Sequence, residues 1–319
     1  MRQVTSRYTF LIKWGRFDCY NHSTKISRHC SGFIRNAPMV DCAELLMVGM
    51  SSKTYRIGNK VAKVCHVLSD DAAVTQQNLE ACKTEALVYQ ILGEHPRIAQ
   101  CLLYDPSGGR VELKFYPNGN LPDYIKSNDS STIGAEKKRW AMQMIESVSY
   151  LHSKGVRHGD LRLEQWLVDH DGNARLSDFN GSGFDAQPNL GLKRRSAQSR
   201  ESSSHWLPRH DETDSCEQTD LFALGSSLYE LITGERPFAD MDDGTIETRF
   251  AQGIFPSTQG LWLGSDISSC WTRRVKSAAE LLNSARRTHS EEQSFKCQDE
   301  AALPTGRRSF WTACFSCWR

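Results

Sequence analysis

The stretch HGDLRLEQWLVDHDGNARLSDFNGSGF, residues 158 to 184, has the pattern of a chain that folds back on itself. Two short apolar runs, QWLVD and ARLSDF, flank HDGN, and an Asp-Gly pair between such runs is typical of a tight hairpin. The fold-back is expected to bring Asp178, at the end of the second run, close to Asp160 and Gln165. Three oxygen-bearing side chains should therefore meet at one place.

Two carboxylates that lie close together repel each other, and a cation or a donor hydroxyl between them offsets this repulsion. A magnesium ion with oxygen ligands, one of them a nucleotide phosphate, meets that requirement. The alternative is an ordinary polar hairpin in which Asp160 and Asp178 have no common function. The remainder of the chain favours the first interpretation.

On the N-terminal side of the hairpin, the sequence predicts strands and one helix. In LLMVGMSSKTYRIGNKVAKVCHVL, residues 45 to 68, apolar residues alternate around Val61 and Val64, and Gly-Asn supplies a turn. In QQNLEACKTEALVYQIL, residues 76 to 92, apolar residues recur at helical spacing and place Glu85 beside the apolar face. RVELKFYP is a strand that ends at Pro117, as expected of a connection between lobes.

On the C-terminal side, the chain is predicted to be mostly helical. AEKKRWAMQMIESVSYLHSKG has one apolar stripe and Gly155 as a C-terminal cap. TDLFALGSSLYELITGERPF begins with Thr219 or Asp220 as N-cap and is apolar on nearly every side, which predicts a buried helix. LKRRSAQSRESSS, residues 192 to 204, has almost nothing to bury and is predicted to be an exposed loop.

Composition restricts the partners and the compartment. The 39 lysines and arginines balance 38 acidic residues, so no overall field points to nucleic acid or to a membrane surface, and we expect neither as a partner. The 11 scattered cysteines favour reduced thiols in an intracellular, cytoplasmic protein. Residues 1 to 40 contain Asp18 as their one acid, which leaves a mitochondrial presequence as an alternative. The oligomeric state is not indicated.

Five motifs occur in the order used by eukaryotic protein kinases, and the chain resembles that family on these residues. They are Val-Ala-Lys at Lys63, the helical Glu85, the catalytic loop around Asp160, Asp-Phe-x-Gly at Asp178, and Asp220 with a glycine five residues later. DLFALGSSLYELITGERPF and CWTRRVKSAAELL resemble a fungal group of Ser/Thr kinase-like proteins in particular.

The resemblance implies an α+β, protein-kinase-like two-lobed fold. Its small β-rich N-lobe would hold one helix, and its larger C-lobe would be mainly helical. The kinase-like domain would cover residues 45–285, with the N-lobe at 45–116 and the C-lobe at 117–285. Residues 1–44 would form a poorly ordered N-terminal extension, and residues 286–319 a C-terminal tail.

By the same resemblance, the protein would transfer the γ-phosphate of ATP to a protein hydroxyl, of serine or threonine, with Mg²⁺ as the metal and Mn²⁺ as an alternative ion. Such transfer depends on alignment and on neutralising charge. Asp160 would accept or orient the proton of the substrate hydroxyl, and Arg162 would steady the γ-phosphate. Asp178 would be the principal metal ligand, and Gln165 would occupy the place of the second.

The nucleotide-binding residues follow from the resemblance as well. Lys63 would hold the α- and β-phosphates, and Glu85 would fix its direction. Leu113 would be the gatekeeper, and the nucleotide base would dock on the backbone near Lys114 and Tyr116.

The chain departs from the family's pattern at four places. VGMSSKTY keeps Gly49 but lacks the other glycines of the phosphate-covering loop, so reduced nucleotide affinity is expected. Gln165 replaces an asparagine and adds one methylene, about 1.5 Å of reach. Gly159 replaces the arginine that reads a phosphate on the activation loop, so that switch should be absent. Arg209 and Val275 replace the two partners of a buried ion pair, and their joint loss avoids an orphaned charge.

Three functional readings remain open on the sequence. An active protein kinase is favoured because Lys63, Glu85, Asp160 and Asp178 are all present. A pseudokinase that binds a nucleotide or a partner without turnover is the alternative, supported by Gln165 and the glycine-poor loop. A small-molecule phosphotransferase is the third, since such enzymes share the HGD sequence, although the helix that begins near Asp220 counts against it.

Overall fold

The structure is a computed structural model that describes residues 43–105, 107–128, 130–198, 201–210 and 213–302. The predicted extension 1–44 therefore lies outside the described residues except for its last two positions, and residues 303–319 of the predicted tail lie outside them as well. The predicted domain boundaries stay a prediction.

Strands dominate the first part of the described chain and helices the second. The strands are β1 (Glu44–Val48), β2 (Ser52–Ile57), β3 (Lys60–Cys65), β4 (Cys101–Tyr104), β5 (Arg110–Lys114), β6 (Val156–Arg157), β7 (Trp166–Val168), β8 (Ala174–Leu176) and β9 (Gly183–Phe184). The helices are α1 (Ala72–Leu92), α2 (Leu121–Ser127), α3 (Ser130–Ser153), α4 (Glu217–Thr233), α5 (Asp243–Ala251), α6 (Gly264–Trp271) and α7 (Ala278–Ala302). This division is consistent with the predicted two-lobed fold.

The N-lobe is a five-stranded antiparallel sheet in the order β1-β2-β3-β5-β4, with α1 packed against it. The predicted hairpin of β2 and β3 is confirmed, and its turn contains Gly58 at a φ of 64°, a conformation that glycine adopts without strain. Helix α1 begins after Asp71, whose carboxylate accepts a hydrogen bond from the Val74 N–H at 2.9 Å. The hairpin and the helix together place Lys63 and Glu85 on facing elements.

The C-lobe is built around α3 and α4. The predicted stripe of α3 is fully buried, and so are Leu221, Phe222 and Leu228 of α4. The hairpin of β7 and β8 pairs Trp166 with Leu176, which confirms the fold-back predicted from the Asp-Gly turn. Apolar residues of both lobes belong to one continuous cluster, so the position of each lobe is linked to the packing of the other.

Two local expectations differ from the structure. Helix α4 begins at Glu217 rather than at Thr219 or Asp220, because the Thr219 hydroxyl accepts the Cys216 N–H in a capping box. The predicted exposed loop 192–204 is partly buried, since its backbone pairs with β9 and its acidic residue Glu201 lies in the interior. Residues 286–302, the first part of the predicted tail, are the last part of α7, and the start of the tail stays a prediction.

Among the described residues, no helix combines the length and the apolar character that crossing a membrane requires.

Candidate active site

The side chain of Lys63 lies between two carboxylates from different parts of the chain. Its Nζ atom donates to Glu85 Oε1 at 2.8 Å and to Asp178 Oδ1 at 2.7 Å. Glu85 belongs to α1, whereas Asp178 follows β8. The Lys63 and Glu85 side chains are almost inaccessible, with 9% and 2% of their surface exposed, and Asp178 keeps 24%. The contact therefore joins the N-lobe sheet, α1 and the C-lobe at one buried ammonium group.

Charge and burial oppose each other in this group. Burial alone would lower the pKa of the Lys63 ammonium, but the charges of Asp178 and Glu85 raise it well above its ordinary value. Burial acts to raise the pKa of the Asp178 carboxyl, yet the Lys63 charge holds it below the usual range. Lys63 is thus protonated and Asp178 ionised at neutral pH. Such a pair presents one cation and one anion side by side.

Asp178 adopts an unusual backbone conformation, and the residue after it explains how that conformation is held. Its φ is 68°, which costs a non-glycine residue about 1–2 kcal/mol. The next residue, Phe179, is fully buried and packs edge-on against Tyr89 of α1 at 5.1 Å between ring centroids. Phe179 also contacts the His158 ring at 5.3 Å. Packing of Phe179 beneath α1 therefore offsets the strain and keeps Asp178 turned toward Lys63.

The catalytic-loop backbone is fixed by Asp220 from the first turn of α4. The Asp220 carboxylate accepts the N–H of His158 at 2.8 Å and the N–H of Gly159 at 3.0 Å. These two bonds hold the turn of the chain that precedes Asp160. His158 Nε2 donates to the Ser177 carbonyl at 3.0 Å, since a carbonyl oxygen only accepts, and burial lowers the pKa of this histidine so that it stays neutral.

The side chains of Asp160, Arg162 and Gln165 lie together in the catalytic loop. Gln165 Nε2 donates to Asp160 Oδ2 at 3.2 Å, and Arg162 Nη2 lies 3.6 Å from the same oxygen. The backbone carbonyl of Gln165 accepts hydrogen bonds from both the N–H and the hydroxyl of Ser177, each at 2.9 Å. Since Ser177 directly precedes Asp178, the hairpin brings Gln165 beside the Asp178 segment.

The residues predicted to meet the nucleotide base lie where β5 leaves the sheet. Leu113 is buried and pairs with Val61 of β3. The N–H groups of Lys114 and Phe115 donate to the carbonyls of Gln100 and Asn59. The N–H of Tyr116 has no such partner among the described residues.

Gly49 lies in a short turn that is held against the rest of the N-lobe. Its N–H donates to the Ser52 carbonyl at 2.9 Å, and only Met50 and Ser51 separate the two residues. His66 secures this turn, because its N–H donates to the Ser51 carbonyl and its Nε2 lies 2.8 Å from the Gly49 carbonyl. The connection of β1 and β2 is thus a tight hairpin turn fastened to the end of β3.

Arg209, expected from the sequence to have lost the family's ion pair, forms a different one. Its Nη2 donates to both carboxylate oxygens of Glu201 at 3.0 Å. The two side chains are 9% and 1% exposed, and Ser215 donates its hydroxyl to Glu201 at 3.3 Å. Val275, at the other position of the family pair, is buried without a charge. The charge of Arg209 is therefore balanced from within the segment that precedes it.

Sequence reasoning missed Tyr89 and His158 as members of this site. Both contact Phe179, and through it they connect α1 with the catalytic loop. The available signals were weak: Tyr89 lies one turn after Glu85 on the apolar face of its helix, and His158 begins the HGD sequence. In the sequence, an apolar helix residue that contacts the other lobe looks the same as one that packs in the core of its own lobe.

A family model described as protein kinase domain matches residues 48–292. CBL-interacting serine/threonine-protein kinase 3 of Arabidopsis thaliana is 28% identical over 206 residues, which are 62% of this chain and 45% of that protein. Maternal embryonic leucine zipper kinase of Xenopus laevis is 30% identical over 48% of this chain and 23% of its own length. Probable serine/threonine-protein kinase MARK-B of Dictyostelium discoideum is 28% identical over 57% and 26%. The chain thus spans less than half the length of these relatives. Since the family model covers more than half of the chain, the protein belongs to the protein kinase family.

Proposed function

We propose that the protein transfers the γ-phosphate of ATP to a serine or threonine hydroxyl of another protein. The observation that carries this proposal is the buried Lys63, held by Glu85 at 2.8 Å and Asp178 at 2.7 Å. In an ordinary polar hairpin, nothing would bring two carboxylates from separate elements to one lysine. The choice of serine or threonine rests on the relatives from Arabidopsis thaliana and Dictyostelium discoideum, both of which are named as serine/threonine-protein kinases.

In the proposed reaction, Asp160 accepts the proton of the substrate hydroxyl. The amide of Gln165 and the guanidinium of Arg162 both approach Asp160 Oδ2, and they hold the carboxylate in one orientation. Arg162 remains 43% exposed on its side chain, so it can turn toward an incoming phosphate. Lys63 places one positive charge beside the phosphates, while Glu85 prevents it from turning away.

The residues at the site fit a divalent ion complexed with ATP. The carboxylate of Asp178 and the amide oxygen of Gln165 are hard oxygen donors, the type that Mg²⁺ and Mn²⁺ prefer, and they do not discriminate between the two ions. When bound, the ion supplies positive charge that neutralises the phosphate oxygens. Leu113, Lys114 and the N–H of Tyr116 would receive the base.

A second candidate, a module that binds a nucleotide or a partner without turnover, is favoured by one observation. The turn at Gly49 contains only two residues between its hydrogen-bonded ends and is fastened by His66, so it has little freedom to close over the phosphates. Weak nucleotide affinity is the expected consequence in both candidates. The resemblance to a fungal kinase-like group stays part of this proposal, as does a cytoplasmic location.

The test is transfer of labelled γ-phosphate by purified protein, with Mg²⁺ and then Mn²⁺, to itself and to a mixed basic protein substrate. Asp160→Asn removes the proposed base and should abolish transfer while ATP still raises the melting temperature. Asp171→Asn, the same substitution on the exposed turn of the β7–β8 hairpin, is the matched control and should keep the parent's rate. Transfer by Asp160→Asn equal to that of the parent would overturn the proposal, and nucleotide binding without any transfer would favour the second candidate.

A further inference from the structure

A basic residue of the segment after β9 is held in one position by its backbone. Arg195 donates its N–H to the Phe184 carbonyl and accepts the Phe184 N–H, both at 2.8 Å, and Phe184 in turn pairs with Val156 of β6. The segment also lies directly on Gly183, where a Cβ atom would collide with the backbone of Ala197. The Arg195 backbone is therefore part of the C-lobe.

Its side chain, in contrast, reaches helix α1 of the N-lobe. Arg195 Nη1 donates to Thr84 Oγ1 at 2.6 Å, and Nη2 donates to Glu80 Oε2 at 3.0 Å. The Thr84 hydroxyl gives its own proton to the Glu80 carbonyl at 2.7 Å, so its oxygen is free to accept from Arg195. Thr84 directly precedes Glu85, the partner of Lys63. The guanidinium thus contacts α1 one residue from the ion pair of the site.

The neighbours of Arg195 point elsewhere, as alternation along an extended chain requires. Arg194 Nη2 and Ser196 Oγ both donate to Asp214 Oδ2, at 3.1 Å and 2.7 Å. Arg195 is therefore the member of this basic run that faces α1. Gly159, before Asp160, offers no side chain that could bind a phosphate on this segment.

We propose that Arg195 is a positioning residue, which holds α1 so that Glu85 engages Lys63 without any phosphorylated side chain on the segment. The proposal rests on the proposed kinase function for its catalytic consequence, whereas the docking of α1 is independent of turnover. The Arg195 and Glu80 side chains keep 29% and 41% of their surface exposed, so losing this contact should shift the equilibrium between docked and undocked α1 by about tenfold. The rate should fall by up to the same factor, because only the docked helix places Glu85 beside Lys63.

The experiment exchanges the two charges. Arg195→Glu should lower kcat by up to about tenfold with little change in the KM of the protein substrate, and Glu80→Arg in the same chain should restore most of it. Lys193→Glu is the matched control, since it makes the same charge change on an exposed residue of the same segment and should keep the parent's kcat. Arg195→Gln serves if Arg195→Glu does not fold. Treatment of the parent with a protein phosphatase should leave its rate unchanged.

Amide hydrogen exchange of α1 separates this proposal from the proposed function. Exchange around Glu85 should become faster in Arg195→Glu and return toward the parent's rate in the charge-exchanged pair. If the parent transfers no phosphate but α1 shows this pattern, the kinase function fails and the positioning role stands. Unchanged α1 exchange in Arg195→Glu and Arg195→Gln, an equal loss in Lys193→Glu, or a rate that falls on dephosphorylation would overturn it.

Discussion

Replacing Lys63 by methionine should destabilise the protein in a way that depends strongly on pH. The substitution leaves Glu85 buried, with 2% of its side chain exposed, and without its cation. Removing one partner of a buried pair costs about 3–5 kcal/mol when the remaining charge persists. Glu85 can avoid part of this cost by taking up a proton. Asp178, at 24% exposure, keeps contact with water and should contribute less.

The size of the effect follows from the ordinary pKa of glutamate, about 4.3, and from about 1.4 kcal/mol for each pH unit above it. Protonation of Glu85 limits the loss to about 3.7 kcal/mol at pH 7 and to about 1 kcal/mol at pH 5. The sign is that of an acid whose folded-state pKa lies above its unfolded value. In the Lys63→Met protein, stability is therefore present at low pH and is lost as the pH rises toward the folded-state pKa of Glu85.

Urea unfolding of the parent, Lys63→Met and Lys63→Met/Glu85→Gln, without nucleotide, measures these differences. The double variant should recover much of the loss at pH 7, and its free energy of unfolding relative to Glu85→Gln alone should hardly depend on pH. A cost of Lys63→Met that is equal at pH 5 and pH 7 would refute the reasoning. So would a double variant that is no more stable than Lys63→Met at pH 7.

Three further substitutions test other parts of the site. Asp220→Asn weakens the acceptor of the His158 N–H and should cost about 1–3 kcal/mol in urea unfolding, and an unchanged midpoint would contradict this. Burial and the nearby charge of Glu164 raise the pKa of Glu230 to about 7. Glu230→Gln should therefore stabilise the protein by about 1–2 kcal/mol at pH 8 and by almost nothing at pH 4.5. An equal effect at both pH values would count against this prediction. Gln165→Asn removes one methylene and should lower the Mg²⁺ concentration for half-maximal transfer, whereas an unchanged value would exclude Gln165 as a ligand.

The elements that sequence reasoning predicted well are those whose signals are local. Gly58 with Asn59, and Asp171 with Gly172, define their hairpins within a few residues, and both hairpins are present. The apolar period of α1 likewise predicts that Glu85 lies on the buried side. Such features are fixed by turn chemistry and side-chain spacing, so neighbouring residues contain enough information.

The features that the sequence did not predict depend on contacts between distant segments. The basic run at Arg195 lacks apolar residues and looks exposed, but its partners Glu80 and Thr84 lie more than a hundred residues earlier. The sequence indicated only that Arg209 lacks the family's ion pair. Its actual partner, Glu201, does not lie where the family has a partner, so the sequence did not point to it. Long charged side chains can reach several alternative partners without a change in the local backbone. No periodic pattern in the sequence therefore shows which pair forms.

The charges at the site bear on which form of nucleotide it would accept. Lys63 and Arg162 contribute two positive charges, and Glu85, Asp160 and Asp178 contribute three negative ones, so the described group has a net charge of one negative. A bare triphosphate would meet a partly buried site of its own sign, where repulsion is stronger than in water. A divalent ion held by Asp178 would supply two positive charges and reverse that balance, and Lys63 could then attract the phosphates. We therefore infer that the metal complex of ATP, rather than ATP alone, is the ligand for which this arrangement of charges is suited.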